Sequence, residues 1–448
     1  MQCSWVSLQN FSRAINIFSK YVFDFDDITL MNFLVKISKI YILFIIYLHR
    51  NYMEFTNQFI FFSGLLLCLS ILAGVVSNRT GAPLILAFLG VGVLFGQDGP
   101  GGIVFNDMHL SYSVCSFALA IILFDGGIHT PLQNFRSAAR PAFLLATIGV
   151  LLTAGITGAG MWYFLNVEWL HALLFGSIVA STDAAAVFLL LRQRGVQLKP
   201  KISHTLEVES GINDPMAIFL TLTFVELILA QGSGDAWMHI AGDFLQQMGI
   251  GAAFGYVGGR LLMWFFDRIK LDSGLYPIFA LAGGLLVFGA TNLLGGSGFL
   301  AAYIAGLILG NHEYKAKQLV QQFMDGIAWL SQLGMLLLLG LLVTPTELME
   351  DIPKSIIIAV VLIFIARPVA VFVSLLFERF SSKEKLFISW VGLRGAIPIY
   401  LAIIPVMLGL EVKYFNIAFI VVLCSLFLQG WTIRPVGKML GVKQKLES

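Results

Sequence analysis

The chain has 448 residues, 58% of them hydrophobic and 12% charged, with a formal net charge of +2. Water-soluble domains carry about 25% charged residues because their surfaces face solvent. This composition therefore excludes an ordinary soluble enzyme, and so small a net charge identifies no partner, nucleic acid included.

In chain order, Ile40–Leu48 is the first apolar stretch. Lys36, Lys39 and Arg50 bracket it closely, which leaves it short of the roughly 20 apolar residues a spanning helix needs. Residues 1–52 read as an N-terminal extension, with no cleavable signal peptide evident. From Met53 the apolar runs predict thirteen spans, at 57–76, 82–96, 111–128, 141–164, 171–191, 204–230, 244–266, 276–294, 297–310, 323–343, 355–377, 386–408 and 414–433. The transmembrane domain is then 53–434 and the tail 435–448, too short for a soluble regulatory domain. Cys68, Cys115 and Cys424 lie in apolar runs and Cys3 far from them, so packed thiols are expected, with neither disulfide nor metal.

Cytoplasmic loops collect Lys and Arg, which gives an independent check on the count. Every second loop holds them: Arg79; Arg136 and Arg140; Arg192, Arg194, Lys199 and Lys201; Arg268 and Lys270; Lys315 and Lys317; Arg379, Lys383 and Lys385; then Arg434, Lys438, Lys443 and Lys445 in the tail. The opposite loops hold only Lys354 and Lys413, alongside Asp98, Asp107, Glu168, Glu347, Glu350 and Asp351. An error in the count would scramble this alternation. The expected protein is multi-pass in the inner membrane, with its C-terminus cytoplasmic.

Spans two and nine also resemble each other. At a shift of 214 residues Leu86, Ala87, Gly92 and Gly96 fall on Leu300, Ala301, Gly306 and Gly310. The same shift carries Ser181-Thr182-Asp183 of span five onto Gly395-Ala396-Ile397 of span twelve, each an interruption of an apolar run. The expected fold is all-α, with two inverted six-helix repeats (57–230 and 276–433), a linker helix (244–266) and broken helices crossing near the midplane. Gly251, Gly255, Gly258 and Gly259 in span seven predict close helix approach.

A charge inside a span costs about 2.5–3.5 kcal/mol on insertion scales, so each is a functional candidate. Those deep in spans are Asp125, Asp183, Glu209, Asp214, Arg367 and Arg394. In span six, Ser210 and Asp214 stand four apart and share a helix face. A hydroxyl and a carboxylate together suit a hard cation that needs oxygen ligands. Glu209 and Asn213 form the adjacent stripe, and Pro215 leaves the carbonyl of Gly211 without its helical partner. A turn at Pro215 would reverse every later loop, so an intact, locally distorted helix is expected. In span five, Ser181-Thr182-Asp183 resembles an N-cap, which at mid-membrane implies a broken helix lining a cavity. There Asp183 could cap the half-helix or ligate directly, with the Thr182 carbonyl facing the ion. Arg367 and Arg394 each need a buried partner, and Glu209 is the natural one for either. Asp125 could support the site, guard a cavity mouth, or sit at the interface.

Together, Glu209-Ser210-Gly211-Ile212-Asn213-Asp214, the Ser181–Asp183 break and Gly392-Leu393-Arg394-Gly395-Ala396 resemble the cation–proton antiporter superfamily, in its bacterial NhaP-type potassium/proton branch. The resemblance covers roughly residues 54–440 and includes Ser297–Ala301 and Ala366-Arg367-Pro368. It implies a homodimer whose six-helix cores move against a dimerisation domain. It makes Asp214 the shared site of cation and proton, with Ser210 and Thr182 as further ligands of a transported K+ or Na+. It pairs Glu209 with Arg367, and Asn213 implies electroneutral exchange. Asp125 and Arg394 remain accessory candidates. No cofactor is expected, and G-x-x-x-x-G-K-[ST] is absent, so no nucleotide-binding domain is read. A cation channel or a non-transporting receptor would be the competing classes, and coupling to protons separates them from an antiporter.

Overall fold

A computed structural model describes residues 55–80, 83–193, 198–230 and 234–442. The N-terminal extension at 1–52 and the last six residues of the tail lie outside them. Regular structure among the described residues is helical, because a chain in lipid must satisfy its backbone hydrogen bonds within each segment. In order the helices are α1 (Phe55–Thr80), α2 (Leu84–Phe95), α3 (Met108–His129), α4 (Leu132–Leu165), α5 (Trp169–Ile178), α6 (Ala184–Gln193), α7 (Pro200–Leu229) and α8 (Gly234–Arg268). Then come α9 (Leu275–Leu293), α10 (Gly298–Gly310), α11 (Lys317–Leu341), α12 (Ile352–Ser374), α13 (Ser382–Trp390), α14 (Ala396–Met407) and α15 (Lys413–Leu440). Eight are long and apolar enough to cross a membrane, and α2, α5, α10 and α14 are shorter apolar helices.

The helices fall on the apolar runs, with one clear difference at span seven. α8 starts ten residues before the run at 244–266. Its early turns carry the exposed His239, Asp243 and Gln246, since a helix continues into the polar interface wherever no breaker stops it. Pro215 does not divide α7, which runs unbroken from Pro200 to Leu229. Short π-helical segments interrupt α4 at Leu145–Gly149 and α12 at Leu362–Ala366. The second lies where Pro368, lacking an N–H, leaves the Phe364 carbonyl without its donor.

Two backbone seams bind the helices that flank the site. A Cβ on Gly92 of α2 would collide with the main chain of Leu337 and Gly340 in α11. A Cβ on Gly127 of α3 would strike Tyr303 and Leu307 of α10, and one on Gly306 would strike Phe124. As the spacing of its glycines predicts, α8 also packs closely, Gly251, Gly255 and Gly259 against α10 and Gly258 against Val287 of α9.

The ends of the helices nearest the Lys- and Arg-rich loops are tied by polar contacts. Lys199 Nζ lies 3.1 Å from Glu384, Arg140 Nε lies 3.0 Å from Glu378, and Lys201 Nζ donates to the Arg379 carbonyl. The amide of Lys199 also donates to the carbonyl of Val442 at 3.2 Å, joining the start of α7 to the residues after α15.

Candidate functional site

Two helices stop in mid-bundle, and their breaks cross. α5 ends at Ile178 and α6 begins at Ala184, while α13 ends at Trp390 and α14 begins at Ala396. The amide of Asp183 donates to the carbonyl of Leu393 at 2.8 Å, so the two extended stretches meet main chain to main chain. Close approach requires glycine here, because a Cβ on Gly395 would overlap the Asp183 carboxylate. Asp183 Oδ1 accepts from the amide of Ala186 at 3.0 Å. Of the two roles open to Asp183, capping the N-terminus of α6 is the one these contacts display.

α7 passes beside this crossing and presents the Glu209–Asp214 stripe to it. Ser181 Oγ donates to Asp214 Oδ1 at 2.5 Å. Ser210 Oγ donates to the Thr182 carbonyl at 3.1 Å and accepts from the Ala184 amide at 3.3 Å. Asn213 Nδ2 donates to Thr182 Oγ1 at 2.7 Å. Ser181, Thr182, Asn213 and Asp214 are buried, Asp214 to 3% exposure. The structure thus brings together all five residues predicted for the site. The Thr182 carbonyl, expected to face an ion, is engaged by Ser210 instead.

The buried charge pair falls where expected. Arg367 Nη1 lies 2.7 Å from Glu209 Oε1, with both side chains at 2% exposure or less. Neither oxygen of Glu209 has a hydrogen-bond partner, so the contact is an ion pair rather than an aligned fork. Arg394, read above as an alternative partner for Glu209, has a different contact. Its Nη1 donates to the Ser181 carbonyl at 2.6 Å, fixing the residue that holds Asp214.

Three participants carry no individual role in the sequence reading. Ser181 is one; Ser425 and Gln429 of α15 are the others. Ser425 Oγ accepts from the Arg394 amide at 3.1 Å and donates to Gln429 Oε1 at 2.6 Å. Gln429 Nε2 in turn donates to the Trp390 carbonyl at 2.7 Å, so α15 props both sides of the second break. Polar residues in an otherwise apolar span were the available signal. Asp125 stands apart from the cluster. It pairs with His129 at 3.2 Å, and His129 lies 3.8 Å from Asp325.

The cluster offers carboxylate, hydroxyl, carbonyl and amide oxygens, with no sulfur or imidazole among them. That donor set suits a hard cation, and one carboxylate among neutral oxygens can hold either a monovalent cation or a proton.

Comparison with known proteins gives a consistent picture. A K(+)/H(+) antiporter NhaP of Alkalimonas amylolytica is 45% identical over 88% of this chain and 69% of its own length. A K(+)/H(+) antiporter NhaP2 of Shewanella baltica is 46% identical over 86% of this chain and 67% of its own. A Na(+)/H(+) antiporter NhaG of Bacillus atrophaeus is 29% identical over 77% of this chain and 66% of its own. The solved structure of the sodium proton antiporter MjNhaP1 from Methanocaldococcus jannaschii superposes with a TM-score of 0.75 at 24% identity, covering 85% of this chain and 98% of that one, and so shares the fold. Residues 64–439 match the family described as sodium/hydrogen exchanger, transmembrane, and the chain belongs to that family.

Proposed function

We propose that this chain is a secondary antiporter that exchanges a monovalent cation, K+ or Na+, for H+ across the inner membrane. The observation that carries the reading is the buried Asp214 carboxylate, held by Ser181 at the crossing of two broken helices. The identity to K(+)/H(+) antiporters supports it.

On this reading Asp214 binds the cation or the proton, never both. Ser181, Ser210 and Thr182 supply neutral oxygens, and Asn213 steadies Thr182. Asp183 stays charged at the start of α6, where the helix dipole favours it. One proton then leaves for each cation that enters, and exchange is electroneutral. Arg394 keeps Ser181 in place, while Glu209 and Arg367 hold α7 to α12. No cofactor takes part.

Thirteen crossings in two inverted repeats complete the reading. Three correspondences support it. The helix breaks occupy span five and span twelve, the fifth helix of each half. The π-helical segments occupy span four and span eleven, the fourth of each half. The glycine seams join α2 to α11 and α10 to α3, contacts that exchange under the repeat. The chain would work as a homodimer by alternating access, with its C-terminus in the cytoplasm.

The test is proton flux in proteoliposomes with K+, Na+ and Li+ supplied separately. An antiporter moves protons whenever a cation gradient is imposed. Cation flux without proton movement would identify a channel, and no flux of either would leave a receptor.

A further inference from the structure

We propose that a cavity at the end of the molecule opposite the Lys- and Arg-rich loops binds the headgroup of an ethanolamine phospholipid. The cavity, of about 390 Å³, lies between the last residues of α4 and the N-terminal ends of α5, α12 and α15.

Its deepest polar group is Asp351, only 4% exposed. Asp351 occupies the N-cap position of α12 yet makes no side-chain capping bond. Among the described residues its carboxylate has neither a hydrogen bond nor an ion pair. Its oxygens are not sealed in the protein but open onto the cavity, where a donor from outside the chain can reach them. The remaining charges say which kind. Lys354 and Lys413 line the same cavity as Glu168 and Glu411, with Lys413 Nζ 3.2 Å from Glu411 in an exposed pair that a phosphate can share. Two ammonium groups disfavour a bare cation, and three carboxylates disfavour a bare anion. A zwitterion satisfies both, its ammonium on Asp351 and its phosphate on the two lysines.

The same two lysines are the only basic residues in the loops of this face. They run against the usual charge asymmetry of membrane proteins, and a phosphate between them accounts for both. His171 is already committed, bonded to the Tyr414 hydroxyl and 3.8 Å from Glu168.

The membrane, rather than the aqueous phase, is the source the surroundings favour. Met161, Leu165 and Ile417 give the cavity an apolar wall. Trp162, Tyr163 and Phe164 stand beside it with half or more of their surface exposed. Exposed Trp and Tyr mark the level at which lipid headgroups lie. A primary ammonium donates three hydrogen bonds and matches Asp351. The quaternary ammonium of a choline lipid donates none, and a glycerol headgroup carries no positive charge.

Native mass spectrometry of the purified chain, incubated with equal amounts of phosphatidylethanolamine, phosphatidylglycerol and phosphatidylcholine, tests the proposal without any transport measurement. Phosphatidylethanolamine should be retained in preference to the other two. Asp351→Asn preserves the cap shape and should lower that retention about tenfold or more, since it removes a charge-assisted bond. Lys354→Gln, on an exposed side chain, should lower it as well and serves if the first variant folds poorly. Equal retention of the three lipids, or unchanged selectivity in a folded variant, would overturn the proposal. Thermal stabilisation by glycerophosphoethanolamine equal to that by the intact lipid would also overturn it, in favour of a soluble zwitterion.

Discussion

Removing the carboxylate of Glu209 should cost more stability than removing the guanidinium of Arg367. The two groups lie 2.7 Å apart at 2% exposure or less, and taking one partner from such a pair costs about 3–5 kcal/mol because the other charge is left buried alone. The environment skews that range. Arg394 is within electrostatic reach of both groups. Glu209→Met therefore leaves two buried guanidinium groups and no carboxylate between them, which places it near the upper limit. Arg367→Met leaves Glu209 with Arg394 as a remaining counter-charge, which places it near the lower limit. Methionine keeps the unbranched stem in each case, including the part of Arg367 pressed against Gly392. The double variant removes both charges, and apolar replacements of buried pairs are often close to neutral. It should be more stable than Glu209→Met alone, with a coupling energy of about 2 kcal/mol or more, within the range for contacting residues. Unfolding titrations in mixed SDS micelles give all four free energies. A coupling below about 0.5 kcal/mol, the level at which distant sites simply add, would refute the pairing. So would a Glu209→Met variant as stable as the parent.

Three further outcomes follow from the site. Asp214→Asn should abolish cation-dependent proton flux in proteoliposomes while the protein still inserts and purifies intact, and parental rates would remove Asp214 from the mechanism. If one proton leaves per cation, a potential set by a permeant anion such as thiocyanate should not change the equilibrium cation gradient, and a shift with voltage would mean that a second carboxylate also carries a proton. Gly395→Ala should sharply reduce transport and stability together, because its Cβ overlaps the Asp183 carboxylate, and a variant of normal melting temperature and rate would show that the crossing is looser than described.

The parts of this architecture that one helix carries were legible in the sequence. Ser210 and Asp214 share a face because helical periodicity is local, and α7, which runs through Pro215, could be read as one helix because a turn there would have reversed the later loop charges. The Ser181–Asp183 break was legible for the same reason, as a cap motif within an apolar run. What sequence could not supply was pairing across distance. For Arg394 the sequence pointed only to Glu209, and the crossing of two breaks instead puts the Ser181 carbonyl within 2.6 Å of it. Ser181 itself stood in the motif, but its hold on Asp214 depends on how α7 is rotated against the break. Ser425 and Gln429 were passed over because single polar residues in a span carry less weight than charges, although their hydrogen bonds support the same loop.

The crossing itself is bonded through main-chain atoms, the amide of Asp183 and the carbonyl of Leu393. Side-chain replacement at Leu393 cannot delete that bond, so an alanine scan there would report only the loss of a buried apolar side chain and miss the junction. At Gly395, by contrast, the requirement is for an atom to be missing. A search for this junction in other sequences would therefore do better to look for the smallest side chain flanking the second interruption than for any polar signature within it.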